Sequence, residues 1–109
     1  MIKVDIYRKE TNGYFSGAIL DLFPKTIVFT FKTKHFSINY DEVVRYSYNP
    51  RKFCDIEIEF KNIRENLKIV VKPYTSQDFV VIRNHLDQYC KNRLEYVVNP
   101  IFNSSKINK

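Results

Sequence analysis

Between residues 14 and 72 apolar and polar residues alternate with a period of two almost without interruption, and only the stretch 76 to 94 has a helical period. A period of two puts successive side chains on opposite faces of a pleated strand, so this order predicts half-buried strands followed by one amphipathic helix. Ile2, Val4 and Ile6 alternate with Lys3, Asp5 and Tyr7 in a first strand, and Glu10-Thr11-Asn12-Gly13 turns it. A second strand, about 14 to 22, keeps Ala18, Leu20 and Leu22 on one face and ends at Phe23-Pro24-Lys25, where proline fixes φ and removes an amide donor. Gly17 within it predicts a bulge or sharp bend. Ile27, Phe29 and Phe31 mark a third strand and Phe36, Ile38 and Tyr40 a fourth, joined as a hairpin by Lys32-Thr33-Lys34. A fifth strand spans about 43 to 48 and stops at Asn49-Pro50.

The sixth and seventh strands fix a register. With a loop from Lys61 to Asn66, Phe60 faces Leu67, Ile58 faces Ile69 and Ile56 faces Val71 on the buried side, while Glu59 faces Lys68 and Asp55 faces Lys72 outside. Cross-strand charge pairs contribute about 0.2–1 kcal/mol each, whereas a one-residue slip moves the whole apolar set into water, so the apolar face decides the register. The acidic row Asp55, Glu57 and Glu59 is accordingly assigned to structure rather than to acid/base or metal chemistry.

The helix has a start signal in Thr75-Ser76-Gln77-Asp78, a capping-box pattern with an acid at the positive end of the dipole. Phe79, Ile82, Leu86, Tyr89 and Cys90 then recur at spacings of three and four, a stripe that must lie on a sheet or across a barrel mouth. Lys91 and Arg93 suit its negative end, and the Ser/Asn/Lys-rich stretch after Asn99-Pro100 reads as a fraying tail.

Composition narrows the class. A chain of 109 residues with 44% hydrophobic and 16% aromatic residues has apolar material for one core. The opening residues lack a signal-peptide run, and apolar stretches such as Phe79-Val80-Val81-Ile82 fall far short of the roughly 20 residues that span a bilayer, so a cytoplasmic protein is expected. Cys54 and Cys90 form no C-x-x-C pair and read as buried small hydrophobes. His35 and His85 are the only histidines, and with two glycines the chain has no phosphate-cradling loop, nucleophile elbow or metal-ligand cluster, so neither catalysis nor a metal or other cofactor is expected.

Seven strands and one terminal helix resemble the pleckstrin-homology superfold. The run Gly17-Ala18-Ile19-Leu20, Ile27-Val28-Phe29 and Phe36-Ser37-Ile38-Asn39-Tyr40-Asp41-Glu42-Val43 is similar to its GRAM and bacterial PH-like branches, although Asp21 and Leu22 replace the threonine these families often carry. The likeness covers about 2 to 94 and implies one PH-like domain over residues 1–98, a partly open seven-stranded antiparallel barrel capped by the helix, with a tail at 99–109. A lipocalin-like small barrel is the competing architecture. The resemblance further implies a non-enzymatic platform whose ligand rim lies in the loops after strands one, three and six, here Arg8 and Lys9, then Lys32, Lys34 and His35, then Lys61 and Arg64. Fold alone does not name a ligand.

All three loops are basic, and a net charge of +6 with a pI near 9.3 favours an anionic partner. Yet strand two opens Tyr14-Phe15-Ser16-Gly17, without the Arg-x-Arg-like pair of phosphoinositide-binding PH domains, so a stereospecific headgroup site is not expected. A protein or peptide partner is the first expectation and peripheral attachment to anionic membrane the second. Nucleic acid is not expected: the aromatic and basic run Tyr46 to Phe53 fits alternate core positions, and no RNA-binding signature accompanies it.

Overall fold

The computed structural model describes residues 1–49 and 55–94. Strands β1 (Ile2–Arg8), β2 (Gly13–Leu22), β3 (Thr26–Phe31), β4 (Lys34–Asn39), β5 (Val43–Asn49), β6 (Asp55–Asn62) and β7 (Glu65–Pro73) precede helix α1 (Ser76–Cys90). They form one antiparallel sheet in the order β4-β3-β2-β1-β7-β6-β5. The sheet curls into a half-barrel. Phe36 on the edge strand β4 meets Phe60 on β6 with ring centroids 5.6 Å apart, though four strands separate them in the sheet. Sheet twist supplies that curl, and it lets one face of every strand share a single core.

The core follows the period-two pattern. Val4, Ala18, Leu20, Ile27, Ile38, Ile56, Ile58, Ile69 and Val71 are buried, 0–1% exposed. Phe60↔Leu67, Ile58↔Ile69 and Ile56↔Val71 pair as the alternation requires. The predicted loop, Lys61 to Asn66, is shorter in the structure. The ladder continues through Lys61↔Asn66 and Asn62↔Glu65, leaving only Ile63 and Arg64 to turn the chain, because backbone groups go on pairing after the side chains have left the core. The β3–β4 loop shrinks likewise to Lys32-Thr33, with Lys34 inside β4.

Gly17 makes the expected bulge. Val4 pairs with Ala18 but Ile6 with Phe15, so two β2 residues oppose the single residue Asp5, and Gly17 takes φ +76°, open to it because it lacks a Cβ. The extra residue has a further effect. Strict alternation from Ala18 would turn Tyr14 and Ser16 inward; the bulge turns Phe15 inward instead, where it packs on the core.

One end of the half-barrel is closed by α1. Phe79, Ile82, Leu86 and Cys90 are buried, each large side chain contributing about 1.5–3 kcal/mol relative to exposure. The Thr75 hydroxyl accepts from the Asp78 amide at 3.0 Å, which provides the cap. The helix ends sooner than the predicted 94: a 3-10 turn follows at Lys91–Arg93, and Leu94 then forms a parallel bridge with Tyr46 of β5. Tyr89 also departs from the predicted buried stripe. It is 38% exposed and stacks on Tyr40, centroids 5.2 Å apart. Tyr40 itself lies beyond β4, buried in a 3-10 turn, Tyr40–Glu42.

Polar latches complete this end. The Tyr46 hydroxyl donates to Asp87 Oδ1, Arg93 Nη1 donates to the Tyr40 carbonyl at 3.0 Å, and His85 Nε2 bonds the Phe23 carbonyl at 2.9 Å. Burial, then the Asp87 contact, pushes the Tyr46 phenol far above the ordinary tyrosine range, and burial does the same for Tyr40. Cys90 is a free buried thiol whose burial raises its pKa against the opposing pull of Arg93. Cys54 and the tail lie outside the described residues, and none of the described helices is long and apolar enough to cross a membrane.

Candidate functional site

In this antiparallel order β1, β3 and β6 run in the same direction, so the β1–β2, β3–β4 and β6–β7 turns open at one end, opposite the helix. The topology therefore gathers all seven candidate rim residues, and the side chains divide among several roles. Arg8 follows Val4 and Ile6 on the inner face of β1 and lines a cavity of about 260 Å³. Ile6, Ile69 and four phenylalanines, Phe15, Phe29, Phe31 and Phe36, form its wall, with Lys34 and His35 beside Arg8. Arg8 Nε is buried without a hydrogen-bond partner. His35 Nδ1 shares a hydrogen bond with Thr30 Oγ1 at 3.1 Å.

Two rim lysines are engaged. Lys9 Nζ pairs with Glu57 Oε1 at 3.0 Å, and Lys32 Nζ stands over the Phe31 ring, 5.4 Å from its centroid. Lys61 and Arg64 are exposed, and no ion pair to either occurs among the described residues. They flank Ile63, 97% exposed at the tip of the β6–β7 hairpin. Its φ of +56° is a left-handed conformation that a β-branched side chain resists. The β1–β7 ladder stops at Arg8↔Ile69, so this hairpin extends four residues further, about 13 Å at strand rise.

Each carboxylate of the acidic row is held in an ion pair, one of them with a partner other than the expected one. Asp55 pairs with Lys72 at 2.8 Å and Glu57 with Lys9, while Glu59 reaches Arg45 on β5 at 3.3 Å and not the facing Lys68. The buried Glu59 is flanked by β5 as well as β7, and Lys68 gives its backbone amide to Glu10 instead. Tyr46 is buried and Tyr48 packs edge-on against Phe79 at 5.8 Å, which places the described part of the aromatic run in the core. Among the described residues no group of three or more His, Cys, Asp or Glu side chains is arranged to hold a metal ion.

A second carboxylate cluster lies on the outer face. Asp5 accepts from the Gly17 amide at 2.9 Å, the Tyr74 hydroxyl at 2.7 Å and the Tyr14 hydroxyl at 2.6 Å. Burial works to raise the Asp5 pKa, but the bonds from Tyr14, Tyr74 and Gly17 outweigh it and hold the carboxyl below its ordinary value. The reciprocal bond holds the Tyr14 phenol above its own. This cluster pins the bulge.

Sequence reasoning named the cations but missed the cavity and the tip. The cavity depends on Phe15, whose inward turn needs the bulge. Ile63 had a visible signal, as the one apolar residue in a loop of charged and amide side chains, Lys61-Asn62-Ile63-Arg64-Glu65-Asn66. No protein-family model matches the chain, and no curated protein or solved structure matches it.

Proposed function

We propose that this chain is a non-catalytic interaction module of the pleckstrin-homology kind, which holds a protein or peptide partner at its hairpin end. The observation that carries this reading is the apolar cavity with Arg8 at its wall and Lys34 and His35 beside it, at the end the helix leaves open. A hydrophobic centre with a polar, charged rim is the anatomy of a protein-binding patch, and Arg and aromatic residues are the usual anchors of such a patch. The strand order and the single terminal helix support the superfold, and the paired acidic row supports a binding rather than a chemical role.

The test is site-directed photocrosslinking in the cells that make the protein, with a photoreactive residue at Lys34 or, for comparison, at Gln88 on the helix. A discrete adduct from position 34 that is absent from position 88 is the expected result. Adducts from position 88 alone would refute the assigned surface.

A second reading, peripheral attachment to anionic membrane, is favoured by Ile63 standing exposed between Lys61 and Arg64. Each basic side chain near an anionic surface contributes about 1 kcal/mol, and an aliphatic tip adds insertion. Sedimentation with phosphatidylserine vesicles at low salt separates the two. Salt-sensitive binding lost in Ile63→Asn supports the membrane, and no binding at low salt removes it.

A further inference from the structure

We infer that the hairpin-end cavity receives one large apolar side chain of an acidic peptide, with the neighbouring carboxylate seated on Arg8; this deepens the binding reading above and rests on it. Buried polar atoms in folded chains are nearly always hydrogen-bonded, and Arg8 Nε is not. That nitrogen, held against apolar walls, is out of reach of water, so an anionic acceptor there recovers a bond that the free protein forgoes.

The surroundings select the acceptor's chemistry. Lys34 and His35 share the cavity with Arg8, and no carboxylate among the described residues lines it, so its charge complement is negative. Ile6, Ile69 and the four phenylalanines make the rest of the wall apolar. A phosphorylated sugar headgroup would satisfy the cations and leave those rings against polar atoms. An aromatic or aliphatic side chain beside an Asp or Glu satisfies both. At about 260 Å³ the space lies below the roughly 300–1,000 Å³ of clefts that enclose drug-sized ligands, which suits one side chain and its neighbouring acid.

The experiment titrates the isotope-labelled full chain with acetyl-Phe-Glu-amide, acetyl-Phe-Gln-amide and dodecanoate, observed by NMR. The Glu peptide is expected to shift the Arg8 Nε–H signal and the amides of Phe31 and Ile69, and the Gln peptide to bind about tenfold more weakly. In Arg8→Gln the two peptides should bind alike. Phe15→Trp, which fills the cavity and leaves Arg8 in place, should block the Glu peptide while the rest of the spectrum stays native, and it serves as the variant if Arg8→Gln fails to fold. Equal binding of the two peptides by the wild type, or shifts confined to the helix end, would overturn the inference. So would dodecanoate binding more tightly than the Glu peptide, which would give the cavity to a lipid chain. A partner crosslinked at position 34 whose capture is indifferent to both Arg8→Gln and Phe15→Trp would leave the module reading standing and remove this one.

Discussion

The two ends of the half-barrel are made from the same alternating strands and finished in opposite ways. At the helix end, Phe79, Ile82, Leu86 and Cys90 fill the opening, and three polar latches tie the helix and the 3-10 turn after it to Tyr46 of the sheet and to the Phe23 and Tyr40 carbonyls, although the Tyr40 hydroxyl is itself buried without a partner. At the hairpin end the opening stays a cavity, Arg8 keeps a buried nitrogen without a partner, and Ile63 stands in solvent on a strained backbone. Close packing gives stability, and an opening left unfilled beside a strained backbone marks where a protein has given stability up for another purpose.

If that contrast is right, truncation should hurt most at the closed end. Ile82→Ala is expected to cost about 2–5 kcal/mol by urea denaturation, because its cavity forms inside a filled layer. Phe15→Ala, at the rim of a space that already exists, should cost only about 1–2 kcal/mol. Equal losses would erase the distinction.

Removing polar partners should separate the ends next. Asp87→Ala leaves the Tyr46 hydroxyl buried and unbonded and is expected to cost about 1–3 kcal/mol, most of it recovered in the double variant with Tyr46→Phe. Arg8→Met, which deletes an unpartnered buried nitrogen and keeps the apolar stem, should leave the midpoint unchanged or raise it. Substituting the tip should act in the stabilising direction. Ile63→Asn exchanges a β-branched residue for one that tolerates positive φ and is expected to raise stability by up to about 1 kcal/mol. A fall in its thermal midpoint would mean that Ile63 packs on something.

The smallest effect belongs to the outer clasp at Asp5. Its folded pKa lies below the ordinary 3.8, so the carboxylate stabilises the fold above that value, and the contribution is lost as pH falls through the folded pKa. Asp5→Asn should therefore be less stable than wild type at neutral pH, with the gap closing as the solution is acidified below about 3.8. A gap of constant size from pH 7 to pH 2.5 would assign the role of Asp5 to shape rather than charge.

The closed end was largely legible in the sequence, and the open end only in part. Ile82 and Leu86 announce themselves by helical spacing, and the strand registers follow from an apolar set that must not slip, so these positions are dictated by burial alone. Tyr89 misled because its spacing fits the stripe although its ring lies at the margin of the buried helix face, half in solvent and stacked on Tyr40. Glu59 chose Arg45 over Lys68 because a central strand offers partners on both sides and period-two reasoning sees one hairpin at a time. The cavity was hidden for a different reason: a single extra residue at Gly17 reverses which side of β2 faces inward, and the pattern suggests a bulge there without saying how it repacks Phe15. Arg8 was found as a basic loop residue, whereas its inward aim comes from belonging to β1 in phase with Ile6.

The pairing of β1 with β7 has a consequence for how the chain is made. Val4 pairs across with Pro73, so β1 waits for nearly the whole sheet to be synthesised before its second neighbour exists. The hairpins among β1 to β4 can assemble during elongation, but β1 keeps a bare flank until β7 emerges, and closure across so long a loop is entropically slow. Nascent chains halted shortly before β7 should accordingly be the most prone to strand-edge association, and release of the β6–β7 hairpin is the event that ends that exposure.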